Sequence, residues 1–192
     1  MNSTGIEIIR FATLGVQPWK NGAGTTREIA RDRPDETWDW RISVADVVSE
    51  APFSSFPGID RILVLLEGEG MTLAFEDGRR LPVLPPFGFA RFEGEAALRG
   101  VPVQGGTRDF NVMWRRASIA AGFEVRTVTD TCALPITPAD TWVVHVAAGA
   151  VALPGIGETL ERGDTAVVSG AACAELRLAG EGTVFLVCLQ PA

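Results

Sequence analysis

Apolar and polar positions alternate most strictly between Trp38 and Val48 (WDWRISVADVV). Trp38, Trp40, Ile42 and Val44 fall on one face, and Asp39, Arg41, Ser43 and Ala45 on the other. A period of two marks a strand, because successive side chains leave a pleated backbone on opposite sides. The stretch Asp109 to Arg115 (DFNVMWR) repeats the pattern, with Asp109, Asn111, Met113 and Arg115 on one face and Phe110, Val112 and Trp114, followed by Arg116, on the other. Shorter runs fill the space between these two: Ile6 to Phe11, Thr25 to Asp32, Arg61 to Leu66, Met71 to Phe75, Arg79 to Leu84, Phe87 to Phe92 and Ala96 to Leu98. Tight turns separate them, among them Glu67-Gly68-Glu69-Gly70 and the hairpin-type Glu76-Asp77-Gly78. Asp35 and Glu36 mark a loop, and Ser49 to Asp60 is a second loop whose Phe53 and Phe56 dock it on the body. Turns recurring at intervals of roughly eight to twelve residues predict an all-β sandwich or barrel.

Beyond Arg116 the chain crosses over through residues 117–141, with one or two strands, and the meander resumes. Trp142 to Ala148, Ala150 to Leu153, Glu158 to Leu160, Thr165 to Ser169, Ala174 to Leu178 and Thr183 to Leu189 read as its strands. ILVLLEGEGMTLAF aligns with VVHVAAGAVAL, which sets Gly68 opposite Gly149, and EAALRG aligns with AELRLAG. Strands and turns recurring in the same order predict an internal duplication, with one barrel in 1–116 and a second, degenerate one in 117–192.

Composition narrows the function classes. Apolar residues make up 46% and charged residues 21% of the 192, as in a globular chain. No apolar run approaches the roughly 18 residues of a membrane helix, and the N-terminal residues lack the basic stretch and apolar run of a signal peptide. Cys132, Cys173 and Cys188 are scattered and odd in number, which predicts free thiols and a cytoplasmic location, not a disulfide framework or a CxxC site. A net charge of −7 argues against nucleic acid as a partner. The cations are also unevenly placed: 14 of the 17 Lys and Arg residues lie in 1–116. His145 is the only histidine, so the chain cannot supply the two or three His ligands of a metal site in a small barrel, and neither metal nor cofactor is expected.

The densest polar motif is Gln17 to Glu28 (QPWKNGAGTTRE), with the only lysine of the chain, Lys20. Lys20, Asn21, Thr26, Arg27 and Glu28 beside a glycine bend suit the lip of an anion site. They equally suit a Gly-rich turn feeding a strand, with Trp19 as a core plug. On the alternating strands, Arg41, Arg61 and Arg115 are candidate partners for a carboxylate, with Ser43, Asp109 and Asn111 as orienting groups, because guanidinium forks match carboxylates. The competing reading pairs these arginines with acids at a barrel rim. Apolar faces left over by one barrel predict that the second barrel covers much of the first and that the protein forms a homodimer.

In their order and spacing, PWKNGAGTTREI, WDWRISVADV, PFSSFPGIDR, PPFGFARFEG and TRDFNVMWRR resemble the HutD/Ves family over residues 6–190. The resemblance implies a cupin-like double β-barrel (bicupin) without the usual cupin histidines. It also implies a metal-free binding protein for a small carboxylate such as formylglutamate, regulatory in histidine utilisation or a stress response. A metal-independent isomerase or hydrolase using Asp109 or Glu28 as base is the alternative. Two departures stand out: NGAG where the family commonly has NGGG, and Phe92-Glu93-Gly94-Glu95 where it more often has Gly-Asp.

Overall fold

In the computed structural model nearly every run of alternating or apolar sequence is a β-strand, and all strand pairs are antiparallel. The structure describes residues 5–35 and 37–192. Residues 1–4 of the N-terminal stretch, and Glu36 of the first loop, lie outside the described residues. The chain divides into a central unit, Leu14–Ser118, and a flanking unit that joins the described residues up to Thr13 to Ile119–Ala192.

The first strand, β1 (Ile6–Ile9), belongs to the flanking unit. A 3-10 turn over Phe11–Thr13 separates it from the central unit. In the central unit come β2 (Gln17–Pro18), β3 (Gly24–Arg31), β4 (Trp40–Val47), β5 (Ala51–Pro52), β6 (Ile59–Glu67) and β7 (Met71–Phe75). They are followed by β8 (Arg80–Val83), β9 (Phe89–Glu93), β10 (Leu98–Pro102) and β11 (Thr107–Arg115). These build a six-stranded sheet, β2-β3-β4-β11-β6-β9, and a four-stranded sheet, β5-β10-β7-β8. The centres of β4 and β11 are buried on both faces: Ile42, Val44, Phe110 and Val112 on one, Ser43, Ala45, Asp109 and Asn111 on the other. Leu63, Leu65, Met71, Leu73, Phe75 and Phe92 pack with Ala45 and Val47 to form one end of the unit's interior.

The flanking unit continues with β12 (Ile119–Val128), β13 (Thr131–Pro135), β14 (Thr141–Leu153), β15 (Glu158–Glu161), β16 (Thr165–Ser169) and β17 (Glu175–Pro191). The sequence reads β14 and β17 as two strands each; both run on as single bent strands. Gly149 at φ 72° and Gly180 at φ 124° take the bend in the left-handed region, where other residues are strained. β1 pairs with β16, Ile6 opposite Val168, so residues 6–9 extend this unit and not the first barrel in which the sequence reading places them.

The duplication is visible in the pairing. β6 and β7 correspond to the two halves of β14, and β10 and β11 to the two halves of β17. In each unit the first of these hairpin halves pairs with a late strand (β9, or β16) and the second with an earlier one (β8, or β15). β4 flanks β11 as β12 flanks the end of β17, and β5 flanks β10 as β13 flanks its start. The interiors differ. In the flanking unit Val144, Val146, Leu153, Leu160, Leu178 and Leu186 pack into an apolar core, whereas the central unit keeps polar groups inside. His145, in the flanking unit, is 1% exposed and occupied: its Nδ1 lies 2.9 Å from Thr165 Oγ1 and its ring 5.9 Å from that of Phe185. Among the described residues no helix is long and apolar enough to cross a membrane.

Candidate functional site

A cavity of about 440 Å³ opens into the central unit, within the size range of small-molecule sites. Its wall is built by period-two alternation. Arg41, Ser43 and Ala45 come from β4, Arg61 and Leu63 from β6, and Asp109, Asn111 and Met113 from β11. Register fixes their neighbours: Met113 stands between Arg41 and Arg61, Asn111 between Ser43 and Leu63, and Asp109 between Ala45 and Leu65. The mouth is formed by Pro18, Trp19, Lys20 and Asn21 on one side, and by Pro52, Phe53, Ser54 and Phe56 on the other.

Arg61 dominates the site. It is 8% exposed, and among the described residues no carboxylate pairs with it. Its Nη2 donates to Asn111 Oδ1 at 2.9 Å, and its Nε, buried, has no partner. Three rings surround the guanidinium, with Cζ at 5.0 Å from the centroid of Phe53, 5.1 Å from Phe92 and 5.9 Å from Phe56. Phe92 is the cross-strand neighbour of Arg61 in β9, so the sheet itself sets one of these contacts. Burial, and then the nearby Arg41, lower the Arg61 pKa to about 10, which leaves the group charged at neutral pH.

Arg41 is better compensated. Its Nε donates to Glu28 Oε2 at 2.7 Å, and the other oxygen of Glu28 sits 3.1 Å from Arg31 Nε. Asp109 is fully buried (0% exposed); Thr107 Oγ1 donates to its Oδ2 at 3.0 Å, while Oδ1 has no partner. Desolvation pushes this carboxyl up to about 7, against the pull of the Thr107 hydroxyl. At the mouth, Asn21 Oδ1 accepts from Ala23 N at 3.1 Å and Trp19 Nε1 donates to Thr26 Oγ1 at 2.7 Å, which tie the glycine bend to β3.

Of the residues that the sequence singled out, Lys20, Asn21, Thr26, Arg41, Ser43, Arg61, Asp109 and Asn111 line this cavity. Three do not. Arg27 lies between Thr26 and Glu28, so alternation turns it to the opposite face, where Nη1 meets Asp46 Oδ2 at 2.6 Å. Glu28 stands behind Arg41, engaged by two arginines. Arg115 shares the inward face but ends its strand, and its guanidinium turns to Asp39 (3.5 Å) and to the Trp38 carbonyl (3.4 Å). The sequence reads Trp19 as a core plug and Phe53 and Phe56 as docking residues; all three do pack on the body, and what that reading lacks is that they also line the cavity. The two phenylalanines flanking Ser54-Ser55, eight and five residues before Arg61, are the signal the sequence offers.

Cupin-like folds commonly hold a metal, and the residues here do not fit one. The cavity wall carries two guanidinium groups and no histidine. Among the described residues no group of three His, Cys, Asp or Glu side chains is placed to hold an ion.

The model of the HutD family matches residues 12–186. The chain belongs to the HutD family. This HutD-family chain is 37% identical, over 57% of its length, to an uncharacterized 21.2 kDa protein in the hutC 3' region of Pseudomonas putida; the alignment spans 58% of that protein, less than two thirds. It is 36% identical over 66% of its length to the protein Ves of Cronobacter sakazakii, spanning 70% of it. Among solved structures it is similar to HutD from Pseudomonas fluorescens in a formate condition, with a TM-score of 0.85 and 28% identity over 97% of this chain and 99% of that one. A bacterial pirin from Escherichia coli in complex with nickel(II) aligns at 12% identity with a TM-score of 0.70, covering 97% of this chain and 100% of that one. At that identity the likeness speaks for the fold alone, which is all-β and cupin-like.

Proposed function

We propose that this protein is a metal-free receptor for a small carboxylate, formylglutamate-like in size, which it binds in the cavity of the central unit. By this reading it acts through binding, as a regulator in histidine utilisation or in a stress response. The observation that carries the proposal is Arg61: a buried guanidinium with an unpartnered Nε and no acid beside it. Leaving such a charge unpaired is costly, and a ligand carboxylate is the group that matches its fork. One further fact supports the reading: a relative from Pseudomonas putida lies in the hutC 3' region.

A second reading rests on Asp109, whose carboxyl titrates near 7 and could serve as a general base in a metal-independent isomerase or hydrolase. Glu28, the other candidate base, is held by Arg31 and Arg41. Turnover of formylated glutamates by the pure protein would favour this second reading.

The test of the receptor is calorimetric titration with formate and formylglutamate. A charge-assisted hydrogen bond contributes roughly 1.5–3 kcal/mol, so Arg61→Ala should weaken binding on the order of ten- to a hundredfold. Arg61→Lys should lose nearly as much, because lysine has no planar fork. Arg177→Ala, in the flanking unit and paired with Glu175, should change nothing. Unchanged affinity in Arg61→Ala would sink the proposal.

A further inference from the structure

The two units share one pairing scheme and differ at one edge of it. In the central unit β4 pairs with β11 on one side and with β3 on the other, where Thr26 stands opposite Ala45. Its counterpart in the flanking unit, β12, pairs with β17 without a bulge, from Ile119 opposite Pro191 to Val128 opposite Gly182. No strand among the described residues takes the place of β3 on the other side of β12. An edge strand is a ready template for another chain, and folds blunt such edges with proline, lysine, bulges or short length. The edges β2, β5, β8 and β13 are blunted in this way: each carries a proline, and none is longer than 5 residues. β12 runs for 10 residues with neither proline nor lysine, and the part from Glu124 to Thr127 is exposed or half-buried.

The order of charges on that part selects the occupant. Two copies of β12 related by a two-fold axis pair antiparallel, as β4 pairs with β3, and residues of one face then stand opposite each other. Centred on Val125, the pairing sets Glu124 of each copy against Arg126 of the other, so both cross-strand pairs join opposite charges. Centred one residue to either side, it would set Glu124 against Glu124 or Arg126 against Arg126. Both side chains lie on one face of β12, since Arg126 Nη2 is 2.7 Å from Glu124 Oε2 in the same chain. We propose that this edge is a dimer contact, at which the β12 of a second copy supplies the strand that β3 supplies in the central unit. The contact is independent of the receptor reading, and its test needs no ligand.

Sedimentation equilibrium of the intact protein at low salt should show a monomer–dimer equilibrium. Glu124→Arg and Arg126→Glu each convert both cross-strand pairs into like-charge pairs, and each should weaken the dimer roughly ten- to a hundredfold. Mixed in equal amounts, the two variants face each other with opposite charges at both positions. A heterodimer should then form with an affinity within about threefold of the wild type. The double variant, with the charges exchanged, should form a homodimer of the same strength. Far-UV circular dichroism and thermal melting would show which variants are folded, and the double variant restores the pair within the chain should a single one fail. A wild-type protein that stays monomeric would overturn the proposal. So would a dimer that the single variants leave unchanged, which would place the contact on another surface, or a mixture that gives no heterodimer.

Discussion

Asp109 and His145 are both buried, one in each unit, and both titrate far from their ordinary ranges in opposite senses. Desolvation holds the Asp109 carboxyl up at about 7, against about 3.9 in an unfolded chain. Between those values the native state binds the extra proton, so this group's contribution to stability is present at low pH and is lost as pH rises from about 4 to about 7. His145 is held neutral down to about 3, chiefly by burial, whereas an unfolded histidine takes up its proton near 6.5. Its contribution is therefore complete above about 6.5 and falls away as pH drops toward about 3. Each unit of pH crossed is worth at most about 1.4 kcal/mol per group. Urea unfolding at a series of pH values tests this. Asp109→Asn should gain on the wild-type protein as pH rises from 4 to 8, and His145→Gln should lose least at the acid end. Profiles parallel to the wild type in both variants would contradict it. Neither shift is legible in a sequence, because each arises from the strands packed around one side chain. The sequence does show His145 within the apolar strand Trp142 to Ala148 and Asp109 on the polar face of an alternating one.

At the scale of the element, alternation made β4 and β11 readable and correctly grouped Arg41 with Ser43, and Asp109 with Asn111 and Met113. It could not say which face lines a cavity, since both faces of these strands are buried. Treating QPWKNGAGTTRE as one contiguous lip hid the rule that moves Arg27 to the far face. The aromatic wall around Arg61 was illegible for another reason: it is assembled from β9 and the loop before β6, which only the register brings to one place. The bend in the lip has its own structural demand at Gly24. A Cβ there would press into the main-chain oxygen of Asp46 and stand 3.1 Å from the Trp19 ring. Gly24→Ala should destabilise the protein by about 1–3 kcal/mol, as overpacking does, and displace Trp19, weakening acid binding. Melting and calorimetry on this variant check both effects; no change in either would show the bend to be more tolerant than the geometry implies. Ala23 at its neighbour, where the family commonly has glycine, is simply buried.

Over the whole molecule, one pairing scheme serves two units with different interiors. The repeat was readable because glycines mark equivalent bends, Gly149 answering Gly68, and because strands and turns recur in order. The place of residues 6–9 was not readable: a short apolar strand at one end of a chain carries no mark of which distant partner it will take. Cations concentrate in the part of the chain that holds the cavity, although the molecule carries a net charge of −7. A small acid thus meets overall repulsion at long range and attraction only near the cavity, which Lys20, Arg41 and Arg61 line.

The mouth of that cavity holds the single ε-amino group of the chain, Lys20, exposed at its edge. An amine-selective acylating reagent has therefore one lysine to find, besides the terminal amine. Its rate of attachment, followed by intact mass, becomes a clock for occupancy. A ligand seated against the lip should slow the Lys20 adduct while the terminal amine reacts at its usual pace. Rates that ignore formylglutamate at saturating concentration would place the occupant deeper than the lip. The lone lysine thus makes the protein its own footprinting probe, without an engineered label.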